Sequence, residues 1–113
     1  MHEMGLAQNI LDIVLKSARE NDVTRILRIT LRVGQLRAIV PDQLTFCFGF
    51  VAKDSLADGA ELLVRVVPIQ ARCRRCQLEF LVQEFRFTCP ECANGDLEIL
   101  QGKELQVENI EVT

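Results

Sequence analysis

Hydrophobic positions at the start of the chain recur with the period of a helix. Leu6, Ile10, Val14 and Ala18 lie four apart, with Ala7, Leu11 and Leu15 beside them, and Asp12, Lys16, Arg19 and Glu20 take the other side. The pattern predicts a helix starting at Met4 or Gly5 and stopping at Asn21-Asp22, with Met1 to Glu3 just outside its first turn. The period then changes to two. Leu27, Ile29, Leu31 and Val33 alternate with Arg28, Thr30 and Arg32, so a strand with one buried and one basic face is expected, closed by Gly34. Pro41-Asp42 opens a second helix with proline at its first position, and Leu44, Cys47, Phe48 and Val51 form its core stripe. Phe46 and Phe50 fall on other flanks, which implies burial on more than one side. Asp58-Gly59 marks a turn. A strand follows over Ala60 to Val67, with Leu62, Val64 and Val66 in phase and Pro68 ending it.

Further on, short strands are expected over Leu78–Val82, Glu84–Phe87 and Leu97–Leu100, with a tight turn at Asn94-Gly95. The last strand, Glu104 to Val112, alternates as Leu105 and Val107, then as Ile110 and Val112. The slip of one residue at Glu108-Asn109 reads as a β-bulge. The three long strands match in length and character and are inferred to form one sheet. The fold class is therefore α+β: a small mixed sheet with two helices, carrying an insertion between its second and last long strands. The expected division is residues 1–69 plus 103–113 for the α/β lobe and residues 70–102 for the insertion.

The insertion holds the chemistry. Cys73-Arg-Arg-Cys76 and Cys89-Pro-Glu-Cys92 are separated by 12 residues. Each CxxC turns two thiolates to one side of a tight turn, and two such turns facing each other make a closed S₄ cage for Zn²⁺, with Zn–S bonds of roughly 2.3 Å. Two disulfides or a redox pair are the competing reading. It is weakened by the lack of any export signal and by the second copy of the motif. The fifth cysteine, Cys47, lies within a helical stripe and reads as a small buried hydrophobe rather than a fifth ligand. Arg72, Arg74 and Arg75 crowd the first knuckle. They read as a solvated face offsetting the negative thiolate centre, with a phosphate-binding patch as the alternative.

A zinc staple matters in a chain of 113 residues, which is too short for two independent hydrophobic cores. The net charge of −3 argues against a general nucleic-acid binder, which needs positive charge to displace counterions. No apolar run approaches the length of a membrane span, and Met-His-Glu-Met-Gly lacks the form of a secretory signal. With reduced cysteines, this points to the cytoplasm. Catalysis is disfavoured, because a Cys₄ site leaves no open coordination position, the one histidine is His2, and no Ser/His/Asp set is present.

That histidine has a reading of its own. With the initiator retained, the Met1 amine, the following backbone nitrogens and the His2 ring can close fused chelate rings. Four nitrogens in a plane suit Ni²⁺ or Cu²⁺. The plainer alternative is a solvated side chain. The neighbouring helix start favours anions, so it positions such ligands without attracting the metal.

Together these residues resemble the HypA/HybF family. The resemblance is carried by Met1-His2-Glu3, Val33-Gly34 followed by Val40-Pro41 and a Phe-rich helix, Asp58-Gly59-Ala60, the two CxxC pairs, and the ending from Gly102-Lys-Glu-Leu105 through Ile110-Glu111-Val112. It spans essentially the whole chain. The resemblance implies a nickel metallochaperone for [NiFe]-hydrogenase maturation, with Ni²⁺ as transferred cargo held at Met1, His2 and Glu3. It implies structural Zn²⁺ on Cys73, Cys76, Cys89 and Cys92. The implied partners are the GTPase HypB, the hydrogenase large-subunit precursor and, in some organisms, urease maturation proteins. Family members often carry Ser or Thr where this chain has Gly5, and Gly serves as an N-cap only slightly less well. The rival reading is a zinc-ribbon interaction adaptor in which the chain start is irrelevant. The oligomeric state is expected to be monomer or homodimer, because exposed strand faces or an exchange hinged at Gly102 and near Pro68 would allow a dimer.

Overall fold

A computed structural model describes residues 3–113. Helix α1 runs Glu3–Glu20, and β1 runs Ile26–Gly34. A 3₁₀ turn, Gln35–Arg37, leads to α2, Pro41–Val51, and then to β2, Glu61–Val67. Three short strands follow, β3 (Gln70–Cys73), β4 (Glu79–Leu81) and β5 (Leu97–Gln101). Strand β6, Leu105–Val112, ends the chain.

The long strands form one sheet in the order β2-β1-β6, with β1 parallel to β2 and antiparallel to β6. Helix α2 is the crossover that a parallel neighbour requires. Leu6, Ala7, Ile10, Leu11, Val14 and Ala18 of α1 are buried against Ile29, Leu31 and Val33 of β1 and Leu44 and Phe48 of α2. Asp22 adopts a left-handed φ of 53° and stops α1 at the Asn-Asp pair. The expected bulge is present: pairing jumps from Thr30–Asn109 to Leu31–Val107 and leaves Glu108 unpaired. Its carboxylate is thereby aimed at Arg65 of β2, whose Nη1 lies 2.7 Å from both oxygens.

Several positions depart from simple periodicity. The register shifts again between Ile26 and Arg28, so Ile26 is buried and Leu27 faces solvent. Val66 is exposed, and Val67 turns inward where β2 meets Pro68. Phe46 and Phe50 are 75% and 69% exposed, so α2 is buried on one side alone. The outer sheet face is not simply basic, because Arg28 bridges Glu61 and Glu111.

The second sheet has the order β4-β3-β5, all antiparallel. Strand β3, which alternation did not reveal, is its centre. The segment Glu84–Phe87 is a turn, with Glu84 and Phe85 at φ of 53° and 56°. This sheet buries only Ile69, Ala71 and Val82 as its own core, with Leu36, Phe80, Leu97 and Ile99 packed partly against them. The two sheets lie end to end. The radius of gyration is 17.4 Å, against roughly 13 Å for a compact chain of this length.

The joint between them is narrow and tightly bonded. Gly34 N–H donates to the Glu104 carbonyl at 2.7 Å, and Leu36 N–H to the Gly102 carbonyl at 2.9 Å. Ile69 N–H donates to Gln35 Oε1, and Arg37 Nε to the Lys103 carbonyl. Glu104 turns its carboxylate back onto the Gly102 N–H at 2.7 Å. Bonds from its own N–H and from that of Gly102 hold this carboxyl below the ordinary range. Gly102, expected as a hinge, is buried with φ at 119° and packs on Ile69. It is the point at which the two halves cross.

Candidate metal centre

The cage is built by repeating one turn. Cys73 ends β3, and its N–H donates to the Leu78 carbonyl while its own carbonyl accepts from Gln77 N–H. Cys89 does the same with the Asn94 carbonyl and Ala93 N–H. Gln77 and Ala93 each follow the second cysteine of a pair, and both take left-handed φ, 66° and 60°. Neither is glycine, so the conformation is imposed by the paired bonds rather than preferred locally. The predicted turn at Asn94-Gly95 moves back to Pro90–Cys92.

All four sulfurs lie within 4.8 Å of one another. Cys73–Cys92 and Cys76–Cys89 are 3.6 and 3.5 Å apart, and Cys92–Cys76 is 3.9 Å. A tetrahedron with bonds of about 2.3 Å has edges of ~3.8 Å, so the sulfurs fit a thiolate-bound ion such as Zn²⁺. They are too far apart for disulfides, whose S–S bond is about 2.05 Å, and all five cysteines are free. Cys73 and Cys89 are buried, while Cys92 is half-buried and Cys76 exposed. Among the described residues this is the one group of three or more Cys, His, Asp or Glu side chains able to share an ion.

The sequence did not single out Asn94. Its Nδ2 lies 3.6 Å from Cys73 Sγ and donates to the Asp96 carbonyl at 3.2 Å. An asparagine two residues beyond a CxxC was the available signal, read instead as a turn former. Cys76 N–H also points at Cys73 Sγ, at 3.5 Å. That N–H chiefly, with Asn94 assisting, draws the Cys73 thiol down to about 6. Cys76 goes the other way. The Leu78 N–H favours its thiolate, but the sulfur of Cys89 and burial outweigh it and push the thiol up to about 12. Cys92 is also raised: the Asn94 N–H pulls it down, but desolvation and the Cys73 sulfur prevail.

In the folded cage Cys73 thus ionises more readily than an ordinary thiol, and Cys76 and Cys92 less readily. Loading Zn²⁺ should release at least two protons per ion, and affinity should rise with pH as that competition is relieved. Calorimetry in buffers of different ionisation enthalpy checks this; a release of one proton or none would refute it.

The arginines do not form a separate patch. Arg72 pairs with Glu79 and Glu98, and Arg74 with Asp96, leaving Arg75 exposed beside the knuckle. Cys47 is half-buried in α2, away from the cage.

At the other end of the molecule, the predicted ligands Met1 and His2 lie outside the described residues. Glu3 is inside α1 rather than before it, and Gly5 is in the first turn rather than at the cap. Glu3 Oε2 accepts from Val40 N–H at 3.4 Å. Val40 caps α2 with no side-chain bond of its own, so Glu3 takes the role that a glutamate three residues into the helix plays in a capping box. The two helix starts are tied there, around a groove lined by Glu3, Met4, Asp42, Gln43, Phe46 and Cys47.

Comparison with known proteins gives a consistent result. A family described as "Hydrogenase/urease nickel incorporation, metallochaperone, hypA" matches residues 1–112. A protein of Desulfosudis oleivorans named hydrogenase maturation factor HypA is 40% identical over 99% of this chain and 98% of its own length. One of the same name from Desulfatibacillum aliphaticivorans is 42% identical, over 99% and 87%. The solution structure of the Ni metallochaperone HypA from Helicobacter pylori superposes with a TM-score of 0.70 at 21% identity, over 99% of this chain and 97% of that one. At that identity the likeness concerns the fold.

Proposed function

Because this chain belongs to the HypA family of nickel metallochaperones of hydrogenase maturation, we propose that it binds Ni²⁺ at its N-terminus and hands the ion to the hydrogenase large-subunit precursor. The ligands in this reading are the Met1 amine, the His2 ring and backbone nitrogens through Glu3. The observation that carries it is the tether at Glu3. Its carboxylate is engaged with Val40 N–H, so Glu3 supplies backbone to the ion while its side chain holds the chain start against α2. An open chelate anchored in this way suits transfer, since a partner can supply competing ligands. HypB, the large-subunit precursor and urease maturation proteins are the partners in this proposal.

Cys73, Cys76, Cys89 and Cys92 hold structural Zn²⁺ in the same reading, dividing the chain into a nickel lobe, 1–69 plus 103–113, and a zinc lobe, 70–102. Coupling between the two has a route. Leu36 packs in the core of the cysteine-bearing sheet, and four residues later Val40 donates to Glu3. A shift of the 3₁₀ turn in the joint would therefore move the cap of α2 and the tether together.

Nickel titration by calorimetry and absorption spectroscopy tests the reading on untagged, zinc-loaded protein. The wild type should bind about one ion per chain, and His2→Ala and a variant with an added N-terminal glycine should both lose it. Equal binding by all three would place nickel elsewhere and favour the zinc-ribbon adaptor. The same titration after chelation of zinc tests coupling, which unchanged nickel affinity would remove.

A further inference from the structure

Strand β6 is an edge of the main sheet, and among the described residues no backbone bond from outside the sheet reaches Leu105–Val112. The Gly34 N–H bonded to the Glu104 carbonyl sets the phase of the ladder. Gly34, Arg32 and Thr30 turn their backbone groups to β6, and Ile29, Leu31 and Val33 turn theirs to β2. The residues opposite these last three, Ile110, Val107 and Leu105, therefore aim their own N–H and C=O groups outward, away from the sheet. Their side chains lie on the helix face but are only half-buried. Helix α1 leaves a trough beside them. It follows α1 from Leu6 to Asn21 and β6 from Leu105 to Val112, in two parts of about 430 and 340 Å³. Ile13, on its far wall, is 54% exposed. The other face of β6 carries Gln106, Glu108, Asn109 and Glu111. Arg65 and Arg28 hold its two carboxylates from the sheet side, and among the described residues these are their only cationic partners.

We propose that β6 is a docking edge for an extended segment of a different protein, with apolar residues at alternate positions and Lys or Arg between them. Each part of that description answers a feature of the edge. Outward N–H and C=O groups take extended backbone as their partner. The residues that offer those groups also line the trough. Side chains paired opposite them enter it, and an apolar trough takes apolar side chains. The positions between fall opposite carboxylates and amides, where a basic side chain adds an opposite-charge pair. A helix laid in the trough would cover its floor but use none of the outward backbone groups. The β6 of a second copy would set Glu108 and Glu111 against the same carboxylates. The bulge does not break the match. Leu31 and Ile29 of β1 are successive same-face residues, yet they pair with Val107 and Ile110 across it. An added strand can do the same from the other side.

Titration of a short capped peptide of alternating valine and lysine into the full, zinc-loaded, isotope-labelled chain tests this, followed by amide chemical shifts. In register, the valines put their N–H groups toward β6 and the lysines put theirs away. A peptide N-methylated on its lysine nitrogens of the backbone should therefore bind, and should shift the amides of Leu105, Val107 and Ile110. N-methylation at the valines should weaken binding about tenfold or more, and so should glutamate in place of lysine. On the protein side, Val107→Pro removes one outward donor and keeps the bonds to β1. Ile13→Lys puts a charge into the trough from an exposed helix position. Both should lose the peptide to the same degree, with circular dichroism melts confirming that they are folded; if the proline variant does not fold, Ile13→Lys carries this arm. Equal binding by the two methylated forms, or shifts confined to α1, overturns strand addition. Failure of every peptide to bind overturns it as well, and tighter binding of the glutamate peptide overturns the basic partner.

Discussion

Replacing Cys89 with serine should unfold the cysteine-bearing end of the molecule and leave the helical end standing. The asymmetry follows from the two cores. The main sheet and its helices bury a continuous cluster that runs from Leu6 through Phe48 to Leu62. The small sheet has strands of three to five residues, and its buried core is Ala71 within β3 with Ile69 and Val82 just outside β3 and β4. Three such side chains, at about 1.5–3 kcal/mol each for the larger ones, do not match the entropy of ordering some thirty residues at ~1 kcal/mol or more apiece. Metal binding to four thiolates closes that gap: in small zinc domains it is worth roughly 10–16 kcal/mol. Serine at position 89 removes a buried ligand and leaves the cage open. Hydrogen exchange should show lost protection in β3, β4 and β5 with retained protection in α1 and β1. Chelation of the wild type should give the same map. If the small sheet stays protected in Cys89→Ser protein without bound metal, its stability has another source.

The same imbalance explains what the sequence made legible. The main sheet was readable because its strands have one buried face each, and burial at period two or 3.6 leaves a pattern. Even the bulge at Glu108 was visible, since slipping one residue is the only way for Leu105, Val107 and Ile110 to share a face. Where burial is set by neighbours, the pattern failed. Leu27 and Phe46 are apolar side chains that the chain alone does not bury. Strand β3 was hidden because only Ala71 and Cys73 point inward, and neither announces a strand. The cage ligands were plain from spacing alone. Asn94 was not, because its amide meets Cys73 only after Gln77 and Ala93 have each been bent into left-handed turns.

Gly34 is the position where the smallest change should do the most to the joint. Its φ and ψ of −67° and 141° suit any residue, so strain in its own backbone is not the issue. The crossing strand is. A methyl at Gly34 would overlap the carbonyl of Gly102 and the peptide that follows it. Those atoms are backbone, and they cannot swing aside as a side chain can. Gly102 is pinned from the other side, where its own added Cβ would lie 2.9 Å from the Cα of Ile69. Gly34→Ala must therefore force apart the two segments that join the halves and break the bonds from Gly34 to Glu104 and from Leu36 to Gly102. Overpacking against fixed backbone, with buried donors left unpaired, should cost about 3 kcal/mol or more and lower the melting midpoint by more than ~10 °C. Gly5→Ala and Gly49→Ala, on open helix surface, are the controls, and each should be neutral or slightly stabilising. The damage should be local as well as large. Leu36 leaves the core of the small sheet, so that sheet should lose protection to exchange first, even with its metal bound. A Gly34→Ala protein that melts with the wild type would mean that the crossing relaxes freely, and the 3₁₀ turn would then carry no signal between the two ends.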